Sequence, residues 1–194
     1  MALQPKLESQ LSEDIVKVIN RSHGEKTDNK QYDDIEMYKY KIMKLLTDDN
    51  DILIALNNGD LTGHKGDDYR NVNIFNFLKI PDTQSTVKNF ICFEVHDVEQ
   101  PRYTDGLIKK SIVFRTISHS DDVLTDYGMA RQDLLALIIK NKFDWSQEFG
   151  IHIEKIRDYG KVTENGYYYR EFIYETTTVN NYVNRLKNGG VLCG

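Results

Sequence analysis

His119, Asp121 and Asp122 form an H-x-D-D cluster that places an imidazole and two carboxylates within four positions. Together with Glu94, His96 and Asp97, on a segment that reads as the neighbouring strand, they could hold a divalent ion and activate water for hydrolysis. The competing reading is a solvated connection whose aspartates favour the start of the following helix. No known ligand spacing or supporting shell accompanies the cluster, so the connection is preferred. Other candidates each lack an essential part. IPDTQ at 80–84 and FEV at 93–95 distantly resemble a nuclease pattern, but Glu94 is followed by Val95 and His96 where a lysine would have to stabilise charge at the scissile phosphate. Ser118 and Ser120 flank His119 without a G-x-S-x-G turn, and consecutive strand residues point to opposite faces. GDLTGHKGDD lacks the Gly-Lys-Ser/Thr ending of a phosphate loop, and Asp67 and Asp68 would repel an anion. The expectation is a protein that is not an enzyme and has no cofactor and no bound metal. Tyr167, Tyr168 and Tyr169 put aromatic groups on both faces of a strand, where they serve a core or an interface.

These residues must be positioned by the elements around them. Leu11, Ile15, Val18 and Ile19 recur at helical spacing, with Ser12 as a cap. From Asp33 to Leu46 the apolar residues Ile35, Met37, Tyr38, Ile42, Leu45 and Leu46 predict a helix, and a second follows at 50–57. Residues 57–71 are turn-rich, with Gly59, Gly63 and Gly66, and read as surface and mobile. The period then changes. Residues 89–99 alternate, with Ile91, Phe93 and Val95 on one face, as in a half-buried strand. A second strand spans 107–119, and QPRYTDG between them makes a hairpin. A helix over 126–142 presents Tyr127, Ala130, Leu134, Leu135, Ile138 and Ile139 on one stripe. Strands at 151–156 and 167–174 are joined by TENG, whose Asn165-Gly166 pair is a strong hairpin signal. The fold class is therefore α+β: a mostly antiparallel sheet in the order strand, strand, helix, strand, strand, with a long packed helix and a helical N-terminal portion. The expected organisation is an N-terminal extension at 1–32, the α+β domain at 33–178 and a C-terminal tail at 179–194.

Composition narrows the function classes. The 194 residues carry 25 Lys+Arg against 30 Asp+Glu, a formal charge of -5 that argues against a domain built to coat nucleic acid. No apolar run approaches the roughly 18 to 20 residues of a membrane span, and the start of the chain lacks a signal-peptide pattern. No membrane association is expected, and the chain reads as cytoplasmic. Cys92 and Cys193, in an apolar run and a Gly-rich tail, cannot make a disulfide framework or a zinc knuckle.

VKNFICFEVHDVE, IVFRTISHSDD, YGMARQDLLALIIKNKFDWSQEFG and YGKVTENGYYYREFIYETTT resemble, in that order, the tail terminator (tail completion) proteins in the neck of long-tailed bacteriophages and prophages. YKIMKLLTDDNDILIALNN and NIFNFLKIPDTQ are also similar to the start of such proteins, so the resemblance covers roughly residues 38–178. It rests most on Arg131, Asp133 and Leu134, on Asp144-Trp145-Ser146 leading to Phe149-Gly150, and on Tyr167, Tyr168 and Arg170. The resemblance implies an α+β virion subunit that forms a ring of about six copies on the tail tube. Its partners would be the tube protein and the head-completion or connector protein, with DNA passing through unread. It implies location in the virion and, during assembly, in the host cytoplasm. Candidate interface residues are Arg131, Tyr167, Tyr169, Arg102 and Tyr103, the last two at a hairpin tip over 100–106; the 58–71 loop is a second candidate element. Alternatives are a neighbouring head-completion or stopper ring and, in another class, a small metal-dependent hydrolase using His119 and Asp121.

Overall fold

A computed structural model describes residues 34–79, 88–99, 106–144, 149–150, 152–163 and 166–179. Helices α1 (Asp34–Thr47), α2 (Asn50–Ala55) and α3 (Arg131–Phe143) accompany strands β1 (Ile74–Phe75), β2 (Asn89–Asp97), β3 (Leu107–His119), β4 (His152–Val162) and β5 (Tyr167–Val179). The sheet order is β1-β2-β3-β5-β4, with β1 parallel to β2 and the other pairs antiparallel. This is the expected α+β architecture, with one short parallel strand added. The helix anticipated around Leu11–Ile19, the hairpin-tip residues Arg102 and Tyr103, Trp145, Asn165 and the tail beyond Val179 lie outside the described residues.

The core follows from side-chain period. Tyr38, Ile42 and Leu46, four apart on α1, are all buried. They join Ile52 of α2, Leu135, Ile139 and Phe143 of α3, and Ile91, Phe93, Phe114, Phe172 and Tyr174 from one face of the sheet. Asp49 caps α2, its carboxylate accepting from the Ile52 N–H at 3.0 Å. β2 is more than half-buried, because the opposite face of the sheet carries a smaller cluster of Phe75, Phe90, Cys92, Ile117 and Tyr167.

Two expectations need correction. α3 begins at Arg131 rather than Asp126, because residues 124–130 close a tight loop. Gly128 adopts φ +72° and its N–H donates to the Thr125 carbonyl at 3.1 Å, while Leu124 bridges Ala130. The buried stripe of α3 is therefore Gln132, Leu135, Ala136, Ile139, Lys140 and Phe143; Leu134 and Ile138 pack at its margin, and Tyr127 is in solvent. The 57–71 segment is mostly surface, as expected, and forms two short 3-10 turns, the second of which packs on α1 and α2. Tyr69 is buried with its hydroxyl donating to the Leu61 carbonyl at 3.0 Å. A Cβ on Gly66 would overlap the Thr47 carbonyl, so only glycine permits this approach to the end of α1. Finally, β4 and β5 extend to Val162 and Val179, past the anticipated ends at 156 and 174.

Candidate functional site

At the C-terminal end of β3 the H-x-D-D cluster becomes a structural joint. Ser120–Asp122 form a 3-10 turn, started by the His119 imidazole, whose Nδ1 accepts from the Asp121 N–H at 3.2 Å. Asp121 faces solvent beside Lys88, 3.5 Å away. Asp122 is the hub. Its carboxylate accepts from Asn57 at 3.0 Å, from Asn89 at 2.6 Å and from the Arg131 guanidinium at 3.0 Å. Arg131 also donates to the Asp122 carbonyl at 2.8 Å and to the Ala55 carbonyl at 3.2 Å. One carboxylate thus ties the end of α2, the start of β2 and the start of α3. Beside it lies a polar cleft of about 330 Å³ lined by Asn57, Asn58, Asp60, Asn73, Lys88 and Asp121.

The partner residues proposed for a hydrolytic centre do not come together. β2 and β3 pair with Asn89 opposite Ser118 and Glu94 opposite Val113, so Glu94 lies six residues along β3 from His119. At about 3.3 Å per residue this is roughly 20 Å. Asp97 is instead bonded at 2.7 Å to Lys110, a buried ammonium that also lies 5.9 Å from the Tyr38 ring. Among the described residues no group of three or more His, Cys, Asp or Glu is arranged to hold a metal ion.

The second charged region fastens β4 to the molecule. On the α3 side, Arg170 of β5 donates twice to Asp158, at 2.7 and 3.1 Å, and once to Asp133 at 2.9 Å. Lys140 of α3 also bonds Asp158. On the opposite side, Tyr159 donates to Glu171, which also receives Arg115 at 3.0 Å. Burial alone would raise the Asp158 and Glu171 carboxyls. The Arg170 and Lys140 donors for the first, and Tyr159 and Arg115 for the second, outweigh it and hold both below the ordinary carboxylate range. The Arg170 guanidinium is held up by Asp158, and burial, reinforced by a 2.5 Å bond to Asp144, pushes the Tyr174 phenol far up.

The expected interface residues distribute unevenly. Arg131 is committed to the Asp122 joint within the subunit, because its fork reaches two backbone carbonyls and a carboxylate at once. Tyr167 is buried in the minor cluster, edge-on to the His119 ring. Tyr169 is partly exposed, with the Arg115 guanidinium 5.0 Å from its ring. Arg102 and Tyr103 lie outside the described residues.

A family model described as YomW matches residues 12–176. The chain belongs to the YomW family. YomW is a phage- and prophage-associated family of the Bacillus SPbeta kind. No curated protein and no solved structure matches the chain. Among the described residues of this YomW chain, no helix is long and apolar enough to cross a membrane.

Two surface features escape sequence reasoning. One is the loop 123–130, on which Leu124 and Tyr127 stand in water; its signal was Gly128, which sits inside what reads as a helical stripe. The other is the exposed basic pair Arg157 and Lys161 on one face of β4, separated by a register shift from Lys155 on the opposite face.

Proposed function

We propose that this YomW-family chain is a structural protein of the phage neck, a tail terminator that caps the finished tail tube as a ring and meets the head connector. The observation that carries the reading is the match to a phage-associated family over residues 12–176, nearly all of the segment that resembles tail terminators. The surfaces left in solvent suit such a role. β4 is exposed on both faces, and Leu124 and Tyr127 project from an ordered loop, which is how subunits that work by contact present themselves. A ring of about six copies would surround the DNA without reading it, in keeping with a net charge of -5. The protein would reside in the virion after assembly in the host cytoplasm.

Deleting the gene from a producing phage should yield full heads and separate, often overlong tails, because nothing then blocks addition of tube subunits. Normal joined virions in the deletion would refute the role. A stopper or head-completion ring is the second reading, and fractionation separates it: the terminator purifies with headless tails, a stopper with tailless heads.

A further inference from the structure

We infer that copies of this chain join head to tail, with the 123–130 loop of one copy seating Leu124 and Tyr127 on the outer side of β4 in the next. The inference rests on the ring reading above and names the two surfaces that meet.

The loop is a preformed anchor. Besides the Gly128–Thr125 bond, the Thr125 hydroxyl donates to the Met129 carbonyl at 2.7 Å and the Arg131 N–H donates to the Val123 carbonyl at 2.7 Å. Leu124 and Tyr127 are nevertheless 83% and 82% exposed. Large apolar side chains held in water on a closed loop lose little entropy on binding and give much contact area. Asp126 beside them is also exposed, so the anchor is apolar and acidic.

β4 offers the complement. On its face away from α3 stand Arg157 and Lys161, paired with Ile173 and Tyr169 of β5, and the exposed Ile156 sits at the irregularity beside Arg157. Among the described residues Arg157 makes no ion pair, so its charge is available to an acidic partner. The irregularity between Lys155 and Arg157 interrupts the strand edge, which disfavours simple edge-to-edge strand pairing and leaves side chains as the means of contact.

Placement makes the contact intermolecular. The loop is rooted at Asp122, which is bonded to Asn89 at the start of β2. β4 is the opposite edge of the sheet, three strand spacings from β2, or about 14 Å. The exposure of Leu124 and Tyr127 shows that a copy does not satisfy its own loop. Two unlike surfaces set apart in this way make a heterologous contact that repeats from copy to copy and closes if the rotation permits.

The test is disulfide trapping in the full-length chain carrying Cys193→Ser, with and without tail tubes. Tyr127→Cys combined with Ile156→Cys should give cross-links between copies that end at a fixed number, and either cysteine alone should give none. Mixing sharpens this. Leu124→Ser/Tyr127→Ser and Ile156→Ser/Arg157→Glu should each self-associate at least about tenfold more weakly than wild type while melting like it. Their mixture should form dimers, since one intact contact remains. Cross-linking by Tyr127→Cys alone would overturn the inference in favour of a two-fold contact. Rings of wild-type size in which no pair cross-links, or which both surface variants still form, would overturn it while sparing the ring. A wild-type chain that stays monomeric on tubes and at high concentration would overturn the ring and this contact together.

Discussion

β2 and β4 are strands of one sheet held by opposite means. Asn89–Phe93 of β2 are buried on both faces between two apolar clusters, whereas β4 is exposed along nearly all its length. β4 is retained by its ladder to β5 and by two charged fastenings, Asp158 to Arg170 and Lys140 on one face and Tyr159 to Glu171 and Arg115 on the other. Apolar burial is indifferent to salt and pH to first order; paired carboxylates are not. The molecule therefore has a region whose stability is set by packing and an edge whose order is set by charge.

The largest expected effect lies on the packed side. Phe114 lies within 6.4 Å, centroid to centroid, of the rings of Phe93, Phe143, Phe172 and Tyr174. Phe114→Ala should cost about 3 to 5 kcal/mol in denaturant unfolding, a large part of the 5 to 15 kcal/mol typical of a domain. Next, Leu135→Ala should cost about 2 to 5 kcal/mol and exceed Leu134→Ala, because Leu135 is fully buried and Leu134 sits at the margin of the core. The reverse order would mean that α3 is rotated by one position. Glu171→Gln should cost less, about 1 to 3 kcal/mol. Its distinguishing readout is hydrogen exchange, faster in β4 while β2 keeps its protection.

The pH dependence sharpens the same contrast. Folded carboxyls held below their unfolded values stabilise the protein above the unfolded carboxylate range near pH 4, and that contribution is lost as pH falls through the depressed folded values. Protection of β4 amides, measured relative to the unstructured chain at the same pH, should therefore fall below about pH 4 ahead of β2, an ordering that Glu171→Gln should weaken. The smallest effect is Lys155→Ser, which should move the folding free energy by less than about 0.5 kcal/mol in thermal melts.

The same division explains what the sequence revealed. β2, β3 and α1 were legible because their apolar residues keep a clean period of two or near four, and one-sided burial enforces that period. The sequence pattern of β4 stops at Ile156, because the irregularity before Arg157 shifts the phase of every later residue. Tyr127 and Ala130 fall on helical spacing, so the pattern starts α3 too early, whereas the left-handed Gly128 keeps the helix from beginning before Arg131. Arg131, a candidate ring contact from the sequence, serves within the subunit a carboxylate nine positions earlier and a carbonyl 76 positions away. Such partners are set by tertiary placement and leave no local spacing to read. The two charged fastenings of β4 were missed for the same reason.

The central pairing has a mechanical consequence. β3 and β5 are matched residue for residue from Leu107–Val179 to His119–Tyr167, and β3 is also paired with β2 along most of that length. At about 3.3 Å per residue this is a tie rod roughly 40 Å long. A pull along the strand direction loads its rungs together in shear, whereas a pull across the sheet peels them one by one. The subunit should be stiffest against tension running from the Leu107 end to the His119 end, and softest against forces that lift β4 from β5.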